Sequence, residues 1–174
     1  VKAADFKLWE KSQPRLLHLD IELTERCNNN CMHCCINLAE GDAEARQREL
    51  STAELKRIVA EAASLGCLNV RLTGGEPLLR PDFPELYLYI KKLGIKVLLF
   101  TNATLITDEL VQLFVKYPPG ELIEVTVYGM SIKSYEAVSR VKCSYEKGFL
   151  GINLLLQNEI PFVVKGAILP SNKR

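Results

Sequence analysis

A chain of 174 residues with 48% hydrophobic and 25% charged residues is long enough for one domain with a sizeable core. Basic residues number 22 and acidic residues 21, so no general electrostatic pull toward nucleic acid or an anionic membrane arises, and no basic stretch interleaved with aromatics signals RNA. No apolar run approaches the ~20 residues of a membrane span, and the opening VKAADFKLWEK lacks a signal-peptide core, which points to a cytoplasmic, reducing location.

Residues 1–15 read as an N-terminal extension to a single domain covering 1–174. HLDIELT (18–24) alternates apolar and polar residues and is expected to be a strand. STAELKRIVAEAASLG (51–66) opens with Ser51 and carries Glu54 three residues on, a capping box. Leu55, Ile58, Val59, Ala62 and Leu65 follow helical spacing, and Gly66 closes the helix. CLNVRLTGG (67–75) is the second strand, PELYLYIKKLG (84–94) the second helix and IKVLLFTN (95–102) the third strand. TDELVQLFVKY (107–117) is the third helix, with Thr107 as its cap, and ELIEVTVYG (121–129) the fourth strand. SYEKGFLGINLLLQNE (144–159) is a further helix and PFVVKGAIL (161–169) the fifth strand. Strands alternating with helices imply an α/β fold with parallel pairing, either an open doubly wound sheet or a (β/α) barrel.

The strand faces bear on that choice. Leu19, Ile21 and Leu23 lie opposite Asp20, Glu22 and Thr24; Val70 and Leu72 lie opposite Arg71 and Thr73; Ile123, Val125 and Val127 lie opposite Glu124, Thr126 and Tyr128. A sheet covered on both sides is apolar on both, and a closed barrel fills its interior with branched apolar residues. A curved sheet with outer helices and a wetter, charged concave face fits better. Glu22, Arg71, Glu124 and Lys165 are expected to pair across that concavity.

Four of the six cysteines crowd into Cys27, Cys31, Cys34 and Cys35. In a reducing compartment such a cluster reads as metal ligands rather than disulfides. A structural zinc site closes its shell with four protein ligands. An iron–sulfur cube asks one thiolate of each iron, and three cysteines leave one iron with an open position for a small molecule. The spacing favours the cluster, and zinc remains the alternative, with a non-catalytic zinc- or cluster-binding module as the corresponding reading of the chain. Cys67 and Cys143 stand alone and are expected to be buried thiols. TGGEP (73–77) directly follows a strand; its glycines permit a tight turn and close backbone approach to a ligand, and Glu76 offers a carboxylate suited to an ammonium group.

With CNNNCMHC (27–34) and GGEP (74–77) in this order, the chain resembles the radical S-adenosylmethionine superfamily. ELTERCNNNCMHC, RLTGGEPLLRPDF, FTNATL and VTVYG further resemble its peptide- and protein-modifying subgroup, many of whose members carry a C-terminal SPASM domain. The resemblance implies a partial (β/α) barrel of the radical SAM type. It implies a [4Fe–4S] cluster on Cys27, Cys31 and Cys34, and S-adenosylmethionine bound at the bare iron. It further implies hydrogen-atom abstraction from a substrate, a peptide or protein side chain in this subgroup, with a small molecule or an RNA base as the alternative. A reducing partner such as flavodoxin or ferredoxin is implied as well.

The same resemblance assigns His33 to the adenine and Gly74, Gly75, Glu76 and Pro77 to a clamp on the methionine ammonium, Glu76 foremost. Thr126, ahead of Tyr128, is assigned to the ribose and Arg140 to the methionine carboxylate, while Asn102 and Lys165 are lesser cofactor or substrate contacts. Cys35 departs from the pattern and is not counted as a ligand. The family's sixth strand and the auxiliary-cluster cysteines find no counterpart, so the chain reads as a truncated form or a piece of a longer one.

Overall fold

A computed structural model describes residues 16–36 and 38–172. The expected extension at 1–15 lies outside the described residues. In chain order the elements are β1 (His18–Glu22), β2 (Arg26–Cys27), β3 (Leu38–Ala39), α1 (Ala43–Arg48), α2 (Thr52–Ser64), β4 (Asn69–Thr73), a 3₁₀ turn (Pro77–Leu79), α3 (Phe83–Lys92), β5 (Lys96–Thr101), α4 (Asp108–Lys116), β6 (Gly120–Thr126), α5 (Ile132–Ser139), α6 (Ser144–Gln157) and β7 (Phe162–Lys165).

Local chemistry sets the helix ends. The Ser51 hydroxyl accepts from the Glu54 amide at 3.3 Å, and the Glu54 carboxylate accepts from the Ser51 amide at 2.8 Å. Such caps contribute about 1 kcal/mol. Gly66 leaves α2 at a φ of +88°, a left-handed turn that glycine adopts without strain. Thr107 caps α4 as expected. α1 and α5 went unforeseen because six and eight residues are too short to display a period; Asp42 and Ser131 cap them.

β1, β4, β5, β6 and β7 form one parallel sheet in that order, while β2 and β3 pair separately. One face carries Ile21, Val70, Leu72, Val97, Leu99, Ile123 and Val125, all buried. Val59 of α2, Tyr87 and Ile90 of α3, Phe114 of α4 and Leu155 of α6 join them in one core. Burial of each such side chain contributes roughly 1.5–3 kcal/mol.

On the other face, Arg71, Phe100, Glu124 and Thr126 are half-buried, and Asp20 and Lys165 are exposed. That asymmetry excludes the doubly wound alternative. Among the described residues the sheet is open, with β1 and β7 at its edges. Lys165 pairs with Glu124 at 2.5 Å as expected, but Arg71 pairs with Asp20 at 2.8 Å rather than with Glu22. The parallel register sets Asp20 directly beside Arg71. Arg71 and Lys165 lie over the same Phe100 ring, at 5.0 and 5.3 Å.

Cys67 is buried, whereas Cys143 is exposed: it occupies a left-handed turn ahead of α6, outside the core. No helix among the described residues is long and apolar enough to cross a membrane.

Candidate functional site

Parallel strands gather their outgoing loops at the C-terminal edge of the sheet. There a cavity of about 190 Å³ is lined by Cys27, Cys31, Cys34, Thr73, Gly74, Gly75, Phe100, Thr101, Asn102, Thr126 and Tyr128, with Asn29 and Ile36.

The cysteine loop leaves β2 and returns through β3, whose pairing closes its base. Its outer side is fastened to the end of α5. The amides of Asn30 and Met32 donate to the carbonyls of Ser139 and Val138 at 2.9 and 3.0 Å. The Arg140 guanidinium donates to the Asn30 carbonyl at 2.7 Å. The Gly74–Gly75 turn is laid against the chain just before the loop: the Gly75 amide donates to the Thr24 carbonyl at 2.7 Å and the Glu76 amide to the Arg26 carbonyl at 2.8 Å. A Cβ on Gly74 would fall 2.4 Å from the Thr24 oxygen, and one on Gly75 2.2 Å from the Arg26 oxygen. Both positions therefore need glycine for closeness of approach, and Gly74, at a φ of +126°, needs it for conformation too.

Glu76 is fully buried. Its carboxylate accepts from the Thr101 hydroxyl and the Asn102 amide, each at 2.8 Å, and from the Leu78 amide at 3.1 Å. It stands behind the cavity wall and not on it. Burial pushes its carboxyl up to about 7 against those three donors, and its charge is felt at Cys27. Pro77 is buried at the start of the 3₁₀ turn. Asn102 does line the cavity: its side-chain amide donates to Asn28 at 2.9 Å and approaches the Cys27 sulfur at 3.8 Å.

Burial pushes the Cys27 thiol up to about 12 and raises Cys31, and ligation of a metal requires each to give up its proton. Backbone amides of Asn29 and Ile36 point at the sulfurs of Cys27 and Cys34, at 3.3 and 3.4 Å. The Tyr128 phenol lies 3.1 Å from the Cys31 sulfur. Among the described residues no three side chains converge on one ion, which a cube with one thiolate per iron does not require. Among the described residues neither carboxylate nor imidazole reaches the wall, and soft sulfur donors there suit an iron–sulfur cluster or zinc rather than a hard cation. The cavity wall also holds Asn29, whose buried Nδ2 has no hydrogen-bond partner among the described residues.

Of the remaining expected contacts, Thr126 lines the cavity. His33 is exposed, its ring edge-on to Tyr128 at 5.4 Å. Arg140 and Lys165 are not on the wall; the first braces the cysteine loop and the second serves Glu124. Sequence reasoning missed Asn29, Phe100 and Thr101, of which Phe100 was open to discovery by strand alternation. It also missed a buried ion network beneath the loop. Glu49 pairs with Arg26 at 2.7 Å and lies 3.7 Å from Arg80, which pairs with Asp82 at 2.6 Å.

The sequence profile of the Radical SAM superfamily matches residues 21–171, a span that takes in the cysteine loop and the Gly74–Gly75 turn. The chain belongs to the radical SAM superfamily. The AdoMet-dependent heme synthase of Methanosarcina barkeri (strain Fusaro / DSM 804) is 32% identical over 159 residues, 91% of this chain and 44% of that protein. The PqqA peptide cyclase of Methylorubrum populi (strain ATCC BAA-705 / NCIMB 13946 / BJ001) is 33% identical over 130 residues, 74% of this chain and 33% of that one. Native anSMEcpe with bound AdoMet superposes with a TM-score of 0.70 at 20% identity, over 85% of this chain and 43% of that one. This radical SAM chain thus spans less than half the length of the relatives it matches.

Proposed function

We propose that residues 1–174 are the core domain of a radical S-adenosylmethionine enzyme, with Cys27, Cys31 and Cys34 each holding one iron of a [4Fe–4S] cluster. What supports the reading is the shared cavity wall: three cysteine sulfurs face a strand-end glycine turn that is hydrogen-bonded to the chain entering their loop.

What such a cluster supplies when bound is one electron to the sulfonium of AdoMet, giving methionine and a 5′-deoxyadenosyl radical that takes a hydrogen atom from the substrate. The chain's own part is binding, orientation and exclusion of water. Cys27, Cys31 and Cys34 leave one corner of the cube bare for the methionine end. Thr73, Gly74 and Gly75 present main chain to the ammonium, and Glu76 backs them with a buried carboxyl held by Thr101, Asn102 and Leu78. Asn102 fixes the Cys27 turn through Asn28, and Thr126 serves the ribose. His33, beside Tyr128, is the adenine contact. Arg140 acts through the loop it braces, and Lys165 stands on the concave face where substrate would enter. The electron comes from a small donor such as flavodoxin or ferredoxin.

For the substrate, the likeness to PqqA peptide cyclase supports a peptide or protein side chain. The heme synthase likeness extends over 91% of the chain and favours a second reading, a tetrapyrrole.

Anaerobic reconstitution tests the proposal. Brown protein with about four irons and sulfides, dependent on all three cysteines and forming 5′-deoxyadenosine when reduced with AdoMet, is the expected result. Colourless protein holding one zinc contradicts it.

A further inference from the structure

We propose that Tyr128 donates a hydrogen bond to the cluster ligand Cys31 and thereby raises the cluster's reduction potential. The inference rests on the function proposed above.

Tyr128 follows β6 by two residues and is 7% exposed. Its hydroxyl sits 3.1 Å from the Cys31 sulfur. The ring is set by edge contacts to Tyr135 at 5.3 Å and His33 at 5.4 Å. Its main chain is fixed as well: the Asn172 side-chain amide donates to the Tyr128 carbonyl at 2.6 Å, and the neighbouring Val127 amide to the Lys165 carbonyl at 2.8 Å. The main chain is thus anchored, and the ring packs against Tyr135 and His33.

As a free thiol, Cys31 donates to the Tyr128 hydroxyl. A ligating sulfur has surrendered its proton and can only accept. The phenol, a hydroxyl that can donate as well as accept, is then the donor at the same 3.1 Å contact. A reduced cluster carries one more negative charge than an oxidised one. A donor aimed at a ligand sulfur stabilises the reduced form more and moves the potential upward. The amides facing Cys27 and Cys34 belong to the backbone and survive any substitution except proline, and Asn102 stands farther from its sulfur, at 3.8 Å. Tyr128 is thus, among the described residues, the side-chain donor nearest a ligand sulfur.

Dye-mediated redox titration of the reconstituted protein, followed by electron paramagnetic resonance, tests this in wild type and Tyr128→Phe, with iron and sulfide counted in each. The expected result is full cluster content with a reduction equilibrium constant about tenfold smaller, a fall of ~59 mV for one electron. A fully loaded Tyr128→Phe with unchanged potential overturns the inference. Site-specific 3-fluorotyrosine at position 128 covers the case in which the phenylalanine variant loses its cluster. It keeps the ring and makes the phenol a stronger donor, so the potential should rise; an unchanged or lower value overturns the proposal. Wild type that assembles no cluster would instead sink the function proposed above.

Discussion

The Glu76 amide donates to the Arg26 carbonyl at 2.8 Å, joining the glycine turn to the residue that immediately precedes Cys27. The cysteine loop and the turn after β4 are therefore one structural unit, and a change in either should be felt by the other.

Gly75→Ala follows from this. Its Cβ would stand 2.2 Å from the Arg26 oxygen, and the obstructing atom is backbone that cannot rotate aside. The cysteine loop must shift, at a cost of about 1–3 kcal/mol. Reconstituted Gly75→Ala should show lower iron content and weaker AdoMet binding than wild type. Gly41→Ala, which meets nothing within 4 Å, is the control and should match wild type.

The thiols differ in kind. Cys34 lines the cavity and its neighbour Cys35 does not, although both are exposed. Cys34→Ala should lose the visible absorption of the cluster and Cys35→Ala should retain it. Loss of iron in the Cys35 variant would reassign the ligand set.

The buried ion network under the loop should be costly to break. Glu49→Ala leaves Arg26 and Arg80, with side chains 7% and 6% exposed, short of a partner. About 3–5 kcal/mol of stability should be lost in urea unfolding. Glu85, paired with Lys56 while 62% exposed, should cost under about 1 kcal/mol on the same substitution.

Glu76 gives a pH signature. Burial lifts its carboxyl from 4.5 to about 7, so folding favours the protonated form. Its contribution to stability is full below 4.5 and is lost as pH rises through about 7. The melting-temperature advantage of wild type over Glu76→Gln should therefore shrink from pH 5 to pH 8. An advantage that grows over this range would mean that the Thr101, Asn102 and Leu78 donors outweigh burial.

The elements that periodicity and caps reveal were readable in the sequence: α2 with its Ser51–Glu54 box, α4 with Thr107, and the strands with one charged face. Cys27, Cys31, Cys34, Gly74 and Gly75 were readable because their spacing is local. What escaped depends on distant partners. Tyr128 meets Cys31 across 97 positions and Arg26 meets Glu49 across 23. Whether a strand-end carboxylate faces a cavity or turns inward depends on which donors the next strand offers. For Glu76 these are the Thr101 hydroxyl and the Asn102 amide, and a pattern within one strand carries no record of them.

The proposed open iron is best probed by adding AdoMet to the reduced, reconstituted protein and recording its electron paramagnetic resonance spectrum. A cluster held by Cys27, Cys31 and Cys34 alone should show a shifted signal, because the methionine amino and carboxylate groups take the open corner. A spectrum identical with and without AdoMet would contradict this account.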